Sequence, residues 1–310
     1  MRRLVAETSI SPADLVWPLF VSEVLDAPRE VPSLPGVTQD PVDFVAERIA
    51  LARRLGIPAV LLFGLPEQKD AQGSQAWHPE GVVQRAVRAA RDAAAGEVVV
   101  MADLCLDEYT DHGHCGVLDE HGDVDNDATV ALYAKAAVAQ AQAGVDVVAP
   151  SGMMDGQVAA IRRALDEAGF SAVAVMAYAA KYSSALYGPF RDAVDVQIAG
   201  GGDRRSYQQD PRNRREALRE VHLDVAEGAD IVMVKPAVSY LDVISDVRAA
   251  VSVPLAAYHV SGEYAMVHAA AQRGWIDGDA VMWEHIVSIK RAGADLICTY
   301  AAPTIAEACQ

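Results

Sequence analysis

Gly228-Ala-Asp-Ile-Val-Met-Val-Lys235 is the stretch on which the fold turns. Glycine suits the left-handed conformation that caps a helix C-terminus. An apolar run follows it at once, as it does where a chain enters a parallel sheet covered on both faces. The same junction returns as Gly144-Val-Asp-Val-Val and as Gly293-Ala-Asp-Leu-Ile. Outward from these three, short apolar runs occupy residues 15–21, 59–63, 98–104, 145–149, 172–177, 231–234, 255–260 and 296–300. Amphipathic segments of helical length lie near 43–55, 80–95, 128–142, 155–168, 213–226, 240–251, 263–273 and 278–291. Eight alternations of strand and helix predict an α/β fold, a (β/α)8 TIM barrel, in preference to an open doubly wound sheet. No glycine-rich phosphate loop follows the first run, which further disfavours a dinucleotide-binding sheet. Residues 1–14 precede the first run as a polar N-terminal arm, and no Pro/Gly/Ser linker interrupts the rest. The expected organisation is an arm at 1–14 and one catalytic barrel at 15–310.

The 310 residues are 52% hydrophobic and 22% charged, with 22 Gly and 15 Pro. That mixture fills a core and excludes a disordered or collagen-like chain. The 43 acidic residues outnumber the 26 basic ones and leave a net charge of −17. Lys and Arg gather nowhere densely enough to follow a phosphate backbone against that field, so nucleic acid is not an expected partner and metal cations are better ones. After Met1-Arg2-Arg3 no secretory apolar region follows, because the next apolar run is short and holds Pro18. No run reaches the ~18 residues that cross a bilayer, so no membrane is expected and the expected location is cytoplasmic. Cys105, Cys115, Cys298 and Cys309 are too few for a disulfide framework and are read as thiols or metal ligands.

In a barrel of this kind chemistry collects where strands end and the following loops begin. Asp103, Ser151, Lys235, Ser261 and Tyr300 stand there, with Lys181 a few residues beyond its run. The lysines carry most weight, because the chain uses 21 Arg but only five Lys. A lysine at an apolar barrel mouth is desolvated, and a second ammonium nearby opposes its charge. Both effects lower its pKa and free an amine to attack a carbonyl, which is Schiff-base chemistry. The plainer alternative has each lysine paired with an acid and only stabilising the rim.

A second constellation is Asp103-Leu-Cys105-Leu-Asp107-Glu-Tyr-Thr-Asp-His112-Gly-His114-Cys115-Gly116. Alternation places Asp103, Cys105 and Asp107 on one face, and the loop can return Cys115 to them. Two thiolates and a carboxylate make a three-ligand site with an open position, as catalytic zinc requires; two buried thiols beside a solvated loop are the alternative. A third feature is the glycine- and arginine-containing stretch from Tyr187-Gly-Pro-Phe-Arg191 to Gly200-Gly-Gly-Asp203-Arg204-Arg205-Ser-Tyr207-Gln208. It suits a lid over a carboxylate-bearing substrate, since guanidinium forks match carboxylates.

Together these strings resemble the porphobilinogen synthase (5-aminolevulinate dehydratase) family. To those above the resemblance adds Ala149-Pro-Ser, Met153-Met-Asp-Gly, Lys181-Tyr-Ser-Ser, Met233-Val-Lys-Pro, Tyr258-His-Val-Ser-Gly-Glu and Thr299-Tyr, all in family order. It implies a TIM barrel whose N-terminal arm builds a homo-octamer. It also implies a hydro-lyase that condenses two 5-aminolevulinate molecules into porphobilinogen, early in tetrapyrrole and heme biosynthesis. The resemblance assigns Lys235 to the Schiff base with the first substrate and Lys181 to the second. Ser261 and Tyr300 would hold the first substrate's carboxylate, and Arg191, Arg204 and Gln208 the second's. Asp103 and Ser151 would contact the first amine and the reacting centre. Cys105, Asp107 and Cys115 would hold catalytic zinc, and Glu220 an allosteric magnesium.

Two positions depart from the family pattern. Asp107 stands where zinc-dependent members have the middle of three cysteines, so zinc should be held more weakly and magnesium compete better. Gly152 and Gln157 stand where an Asp and an Arg are common, which suggests a lost ion pair rather than lost chemistry. Two rival readings stay open. A one-lysine Schiff-base aldolase on the same barrel would make Lys181 structural. A catalytically silent metal-binding barrel would be expected to have lost some of these groups.

Overall fold

The computed structural model describes residues 4–198 and 202–310. Met1–Arg3 of the expected arm and Gly200 and Gly201 of the expected lid lie outside the described residues. The strands are β1 Leu15–Ser22, β2 Arg29–Glu30, β3 Thr38–Pro41, β4 Ala59–Leu65, β5 Val99–Leu104, β6 Val147–Pro150, β7 Ala174–Lys181, β8 Ile231–Lys235, β9 Leu255–His259 and β10 Leu296–Thr299. The α-helices are α1 Val45–Leu55, α2 Val82–Ala94, α3 Asn126–Ala143, α4 Gln157–Glu167, α5 Gly188–Ala193, α6 Arg214–Glu227, α7 Leu241–Ala250, α8 Ser261–Gln272, α9 Gly278–Ala292 and α10 Ala302–Ala308. Eight parallel strands close a barrel in the order β1, β4, β5, β6, β7, β8, β9, β10, and β10 returns to β1 through Leu15 opposite Ile297. The eight apolar runs are these eight strands, and the TIM barrel is the fold.

The three glycine junctions explain part of the closure. Gly144 and Gly228 end α3 and α6 in the left-handed region, at φ 99° and 106°. The Asp two residues after each glycine has a matching task. Asp146, Asp230 and Asp295 each donate a backbone N–H to a carbonyl of the preceding barrel strand, at Val100, Val175 and Leu255. Each side chain then accepts the N–H of that same residue, at 2.8, 2.9 and 2.9 Å. The repeated Gly-x-Asp thus ends a helix and satisfies the first amides of the neighbouring strand, groups that would otherwise be left unpaired at the barrel floor.

The sequence pattern missed four short elements. β3 pairs in parallel with the end of β1, and β2 runs antiparallel to β3. Neither carries an apolar run: Arg29-Glu30 is exposed, and β3 is held by Arg48 on Asp40 at 2.7 Å and on Thr38 at 2.9 Å. Short helix α5 sits within the stretch read as a lid, and α10 follows the last apolar run, where no element was expected. β7 also runs further than its apolar run. Its register against β8 shifts between Ala177 and Ala180, which makes Lys181 the strand's last residue, directly opposite Lys235. Lys181 was expected beyond its strand; the irregularity re-aims the chain so that it belongs to it.

Inside the barrel, Phe20, Phe63, Tyr178 and Tyr258 are wholly buried. Near the strand ends Phe190 packs edge-on to Phe63 at 5.3 Å between ring centroids, and Tyr258 lies 6.1 Å from Tyr300. At the other end of the chain, the turn Pro12–Asp14 leads into β1, and Asp14 pairs with Lys290 of α9 at 2.8 Å.

Candidate active site

The C-terminal ends of the strands converge. β5 presents Asp103, β7 ends on Lys181 and β8 on Lys235; Ser151 directly follows β6, while Ser261 and Tyr300 lie just beyond β9 and β10. All six are buried. Parallel neighbouring strands lie about 4.8 Å apart, so pairing Lys181 opposite Lys235 sets two amines side by side.

Lys235 sits in a cage of rings. Its Nζ is 4.1 Å from the ring centroid of Tyr258, 5.0 Å from Tyr178, 5.1 Å from Phe190 and 5.5 Å from Tyr187. Burial, then the charge of Lys181, lowers its pKa to about 7, against the pull of Asp103 and Asp107. Lys181 donates through Nζ to the Ser151 carbonyl. Asp103 moves the other way: burial, then the Asp107 charge, raises its carboxyl to about 7 although both lysines oppose this. The Ser151 hydroxyl donates to Asp103 Oδ2 at 3.0 Å, and Asp103 Oδ1 makes no hydrogen bond among the described residues. The site therefore holds an amine and a carboxyl that both exchange protons near neutrality.

Ser261 and Tyr300 lie at the same mouth. The Ser261 hydroxyl donates to the Leu186 carbonyl and accepts the Phe190 N–H at 3.0 Å, which fastens the segment that brings Tyr187 and Phe190 over Lys235. The Tyr300 hydroxyl meets that of Tyr258 at 3.2 Å. Arg191, on α5, is part-exposed and lines a cleft with Lys69, Thr110 and Gly113. Arg204 is buried, and its Nη2 binds Asp107 Oδ2 and the Gly113 carbonyl, both at 2.8 Å. Arg204 Nε and, one turn later, Gln208 Nε2 are buried donors without a hydrogen-bond partner among the described residues.

Cys105, Asp107 and Cys115 do come together. Their ligand atoms lie within 4.8 Å of one another and all three residues are buried. Burial and then the neighbouring thiol push the Cys105 thiol well up; for Cys115 the hydrogen bond from Cys105 and the Arg204 charge outweigh burial and push it down. Two sulfurs and one carboxylate, brought this close together, fit a divalent cation. Glu220 stands apart, half-buried on α6 and lining a cleft with Asp155 and Glu216. Burial and then the Asp155 charge raise its carboxyl, and it belongs to no three-donor group among the described residues.

Several groups of the site gave no signal in the sequence. The cage residues Tyr178 and Tyr258 were assigned no role, although Tyr178 shares β7 with Lys181 and Tyr258 stands three residues before Ser261. Glu263 accepts the N–H of Val238 at 2.7 Å and of Val260 at 2.9 Å, tying the loop after Lys235 to the one bearing Ser261. The Arg204–Asp107 pair joins residues too far apart in sequence for any pattern to link them. Gly152, read as the trace of a lost ion pair, also makes room for a neighbour: a Cβ there would lie 1.7 Å from the Tyr133 hydroxyl.

A family described as delta-aminolevulinic acid dehydratase matches residues 1–308. The chain is 54% identical over 308 residues to the delta-aminolevulinic acid dehydratase of Mycobacterium leprae (strain TN), covering 99% of this chain and 93% of that protein. It is 55% identical over 303 residues to that of Synechococcus elongatus, covering 97% and 92%. A solved structure with TM-score 0.96 and 43% identity, covering 99% of this chain and 87% of the other, is the delta-aminolevulinic acid dehydratase (porphobilinogen synthase) of Toxoplasma gondii ME49 in complex with the reaction product porphobilinogen. With nearly its whole length matched on both counts, this chain belongs to the delta-aminolevulinic acid dehydratase family.

Proposed function

We infer that the chain is an enzyme, a porphobilinogen synthase that joins two 5-aminolevulinate molecules into porphobilinogen with loss of two waters, and by class a hydro-lyase serving tetrapyrrole and heme synthesis. One observation carries the reading: Lys181 and Lys235 end adjacent strands opposite each other, and burial leaves the Lys235 amine near neutrality. Two ketone substrates have to be held at once without being interchanged, and two amines serve that need.

The neutral Lys235 amine attacks the ketone carbon of the first substrate. The resulting hydroxyl leaves as water, with a proton that Asp103, at about 7, can supply and later recover. Lys181 holds the second ketone in the same way and releases the second water. One C–C and one C–N bond then join the molecules, and each lysine returns as a free amine when a bond of the pyrrole replaces its imine. Arg204 Nε and Gln208 Nε2 are free to receive the second substrate's carboxylate, assisted by Arg191; Ser261 and Tyr300 face the first's, and Ser151 orients Asp103. Bound by Cys105, Asp107 and Cys115, a zinc ion would supply a Lewis acid for a substrate oxygen. The carboxylate among those ligands makes magnesium more competitive than a third thiolate would.

A second, allosteric magnesium at Glu220, a homo-octamer built through the arm at 1–14 and a cytoplasmic location complete the proposal. No helix among the described residues is long and apolar enough to cross a membrane. The test is direct. Purified protein given 5-aminolevulinate should make the pyrrole, lose activity with a chelator, and after borohydride reduction carry substrate mass on the peptide Met233-Val-Lys235-Pro236. Activity surviving Lys181→Ala would favour the one-lysine aldolase instead.

A further inference from the structure

Tyr133 projects from α3 and is wholly buried. Its hydroxyl donates to the Cys115 carbonyl oxygen at 2.7 Å and stands 3.6 Å from Cys105 Sγ. Phenylalanine would fill the same volume, so the hydroxyl is what distinguishes this residue: its one proton goes to the Cys115 carbonyl while its oxygen lies against the Cys105 sulfur. Room for it comes from Gly152. A Cβ on that residue would meet the Tyr133 hydroxyl oxygen at 1.7 Å, its Cζ at 2.6 Å and its Cε2 at 2.8 Å. The ring is wholly buried and three of its atoms would be met at once, so any side chain at 152 would drive the phenol away from the cysteines. The missing side chain and the buried phenol are thus two halves of one arrangement.

We propose that Tyr133 is a positioning residue of the cation centre, its hydroxyl proton fixing the Cys115 carbonyl and so the Cys115 backbone while its oxygen packs against the Cys105 sulfur, with Gly152 as the gap that admits it. The inference rests on the reading of Cys105, Asp107 and Cys115 as a cation site. Hydrogen bonds to ligating groups fix their orientation, and removing one typically weakens metal affinity by roughly 10- to 100-fold.

The experiment uses Co2+ as the probe, added to metal-free wild type, Tyr133→Phe and Gly152→Ala, with circular dichroism of each metal-free protein as the check on folding. Wild type should develop thiolate-to-cobalt absorption that saturates; if it does not, the cation reading itself fails and this proposal with it. Given that absorption, Tyr133→Phe should bind Co2+ at least about tenfold more weakly, with an altered spectrum. Wild-type affinity and spectrum in Tyr133→Phe overturn the proposal while leaving the cation site standing. Gly152→Ala displaces the same phenol from the other side and should reproduce the loss, so it decides the matter should Tyr133→Phe not fold. Zinc is colourless and provides a reading on wild type alone. Its binding should perturb the ultraviolet absorption of a buried tyrosine, and a flat difference spectrum also overturns the proposal.

Discussion

Replacing Lys181 by glutamine removes the ammonium that opposes a charge on Lys235 while leaving the strand intact. The two residues face each other across adjacent strands, so their ammonium groups are on the order of 6 Å apart given the usual strand spacing. At an effective dielectric of about 20 that repulsion is roughly 3 kcal/mol, equivalent to about two pKa units. Burial, the larger cause, is untouched, so the Lys235 midpoint should rise from about 7 towards about 9 rather than return to an exposed lysine's value. At pH 7 the neutral, attacking fraction should fall from about one half to about one hundredth. The assay is the initial rate at which borohydride traps 5-aminolevulinate on the Lys235 peptide across the pH range. Wild type should rise through about pH 7, the variant about two units later, with both meeting at high pH. A midpoint still near 7 in the variant would show that Lys181 does not set this amine's reactivity, and trapping lost at every pH would move the Schiff base elsewhere. The same depression acts on stability. Between the folded value near 7 and the unfolded value near 10.5 the unfolded chain binds more protons, so this lysine makes the fold gain stability as pH rises through that window.

Cys105→Ala and Cys115→Ala should each strip the mouth of its cation, read as metal content after exhaustive dialysis; equal content in wild type and both variants would place the metal elsewhere. Gly228→Ala should lower the melting temperature by about 1.5 °C, for about 1 kcal/mol, because a residue with a side chain resists φ 106° and its Cβ would meet Arg162 Cγ at 3.1 Å. An unchanged calorimetric melt would refute the cap. Magnesium should enlarge the assembly seen by light scattering in wild type and not in Glu220→Ala, since a ligand of the assembled form alone favours it by mass action; identical responses would remove Glu220 from the cation sites.

What could be read from the sequence, and what could not, divides along a physical line. Gly-x-Asp junctions, apolar runs and the lysines at strand ends depend on neighbours a few residues away, and these the pattern reports. β2 and β3 depend on Arg48 reaching Asp40 and on the flank of β1, which no local run records. Lys181 was placed off its strand because a register irregularity leaves no mark on composition. Gly152 shows this limit most clearly. Compared with its family it looked like the loss of a charge, and only the position of Tyr133, brought there by α3, shows that the space is taken.

Charge at the barrel mouth follows the same logic of burial. Lys235 and Asp103 would ionise nearly seven pH units apart in water, near 10.5 and 3.8, yet both arrive at about 7. Desolvation is the leading cause for each, because it penalises whichever form is charged and so lowers the amine and raises the acid. Neighbouring charges then add in the same sense, Lys181 for the amine and Asp107 for the acid. In the proposed mechanism, an amine that must lose a proton to attack and a carboxyl that must give one to a departing hydroxyl are thereby matched in a single dry pocket. The aromatic rings that seemed only to fill the barrel are what keep that pocket dry, which makes Tyr178, Phe190 and Tyr258 part of the chemistry as much as of the core.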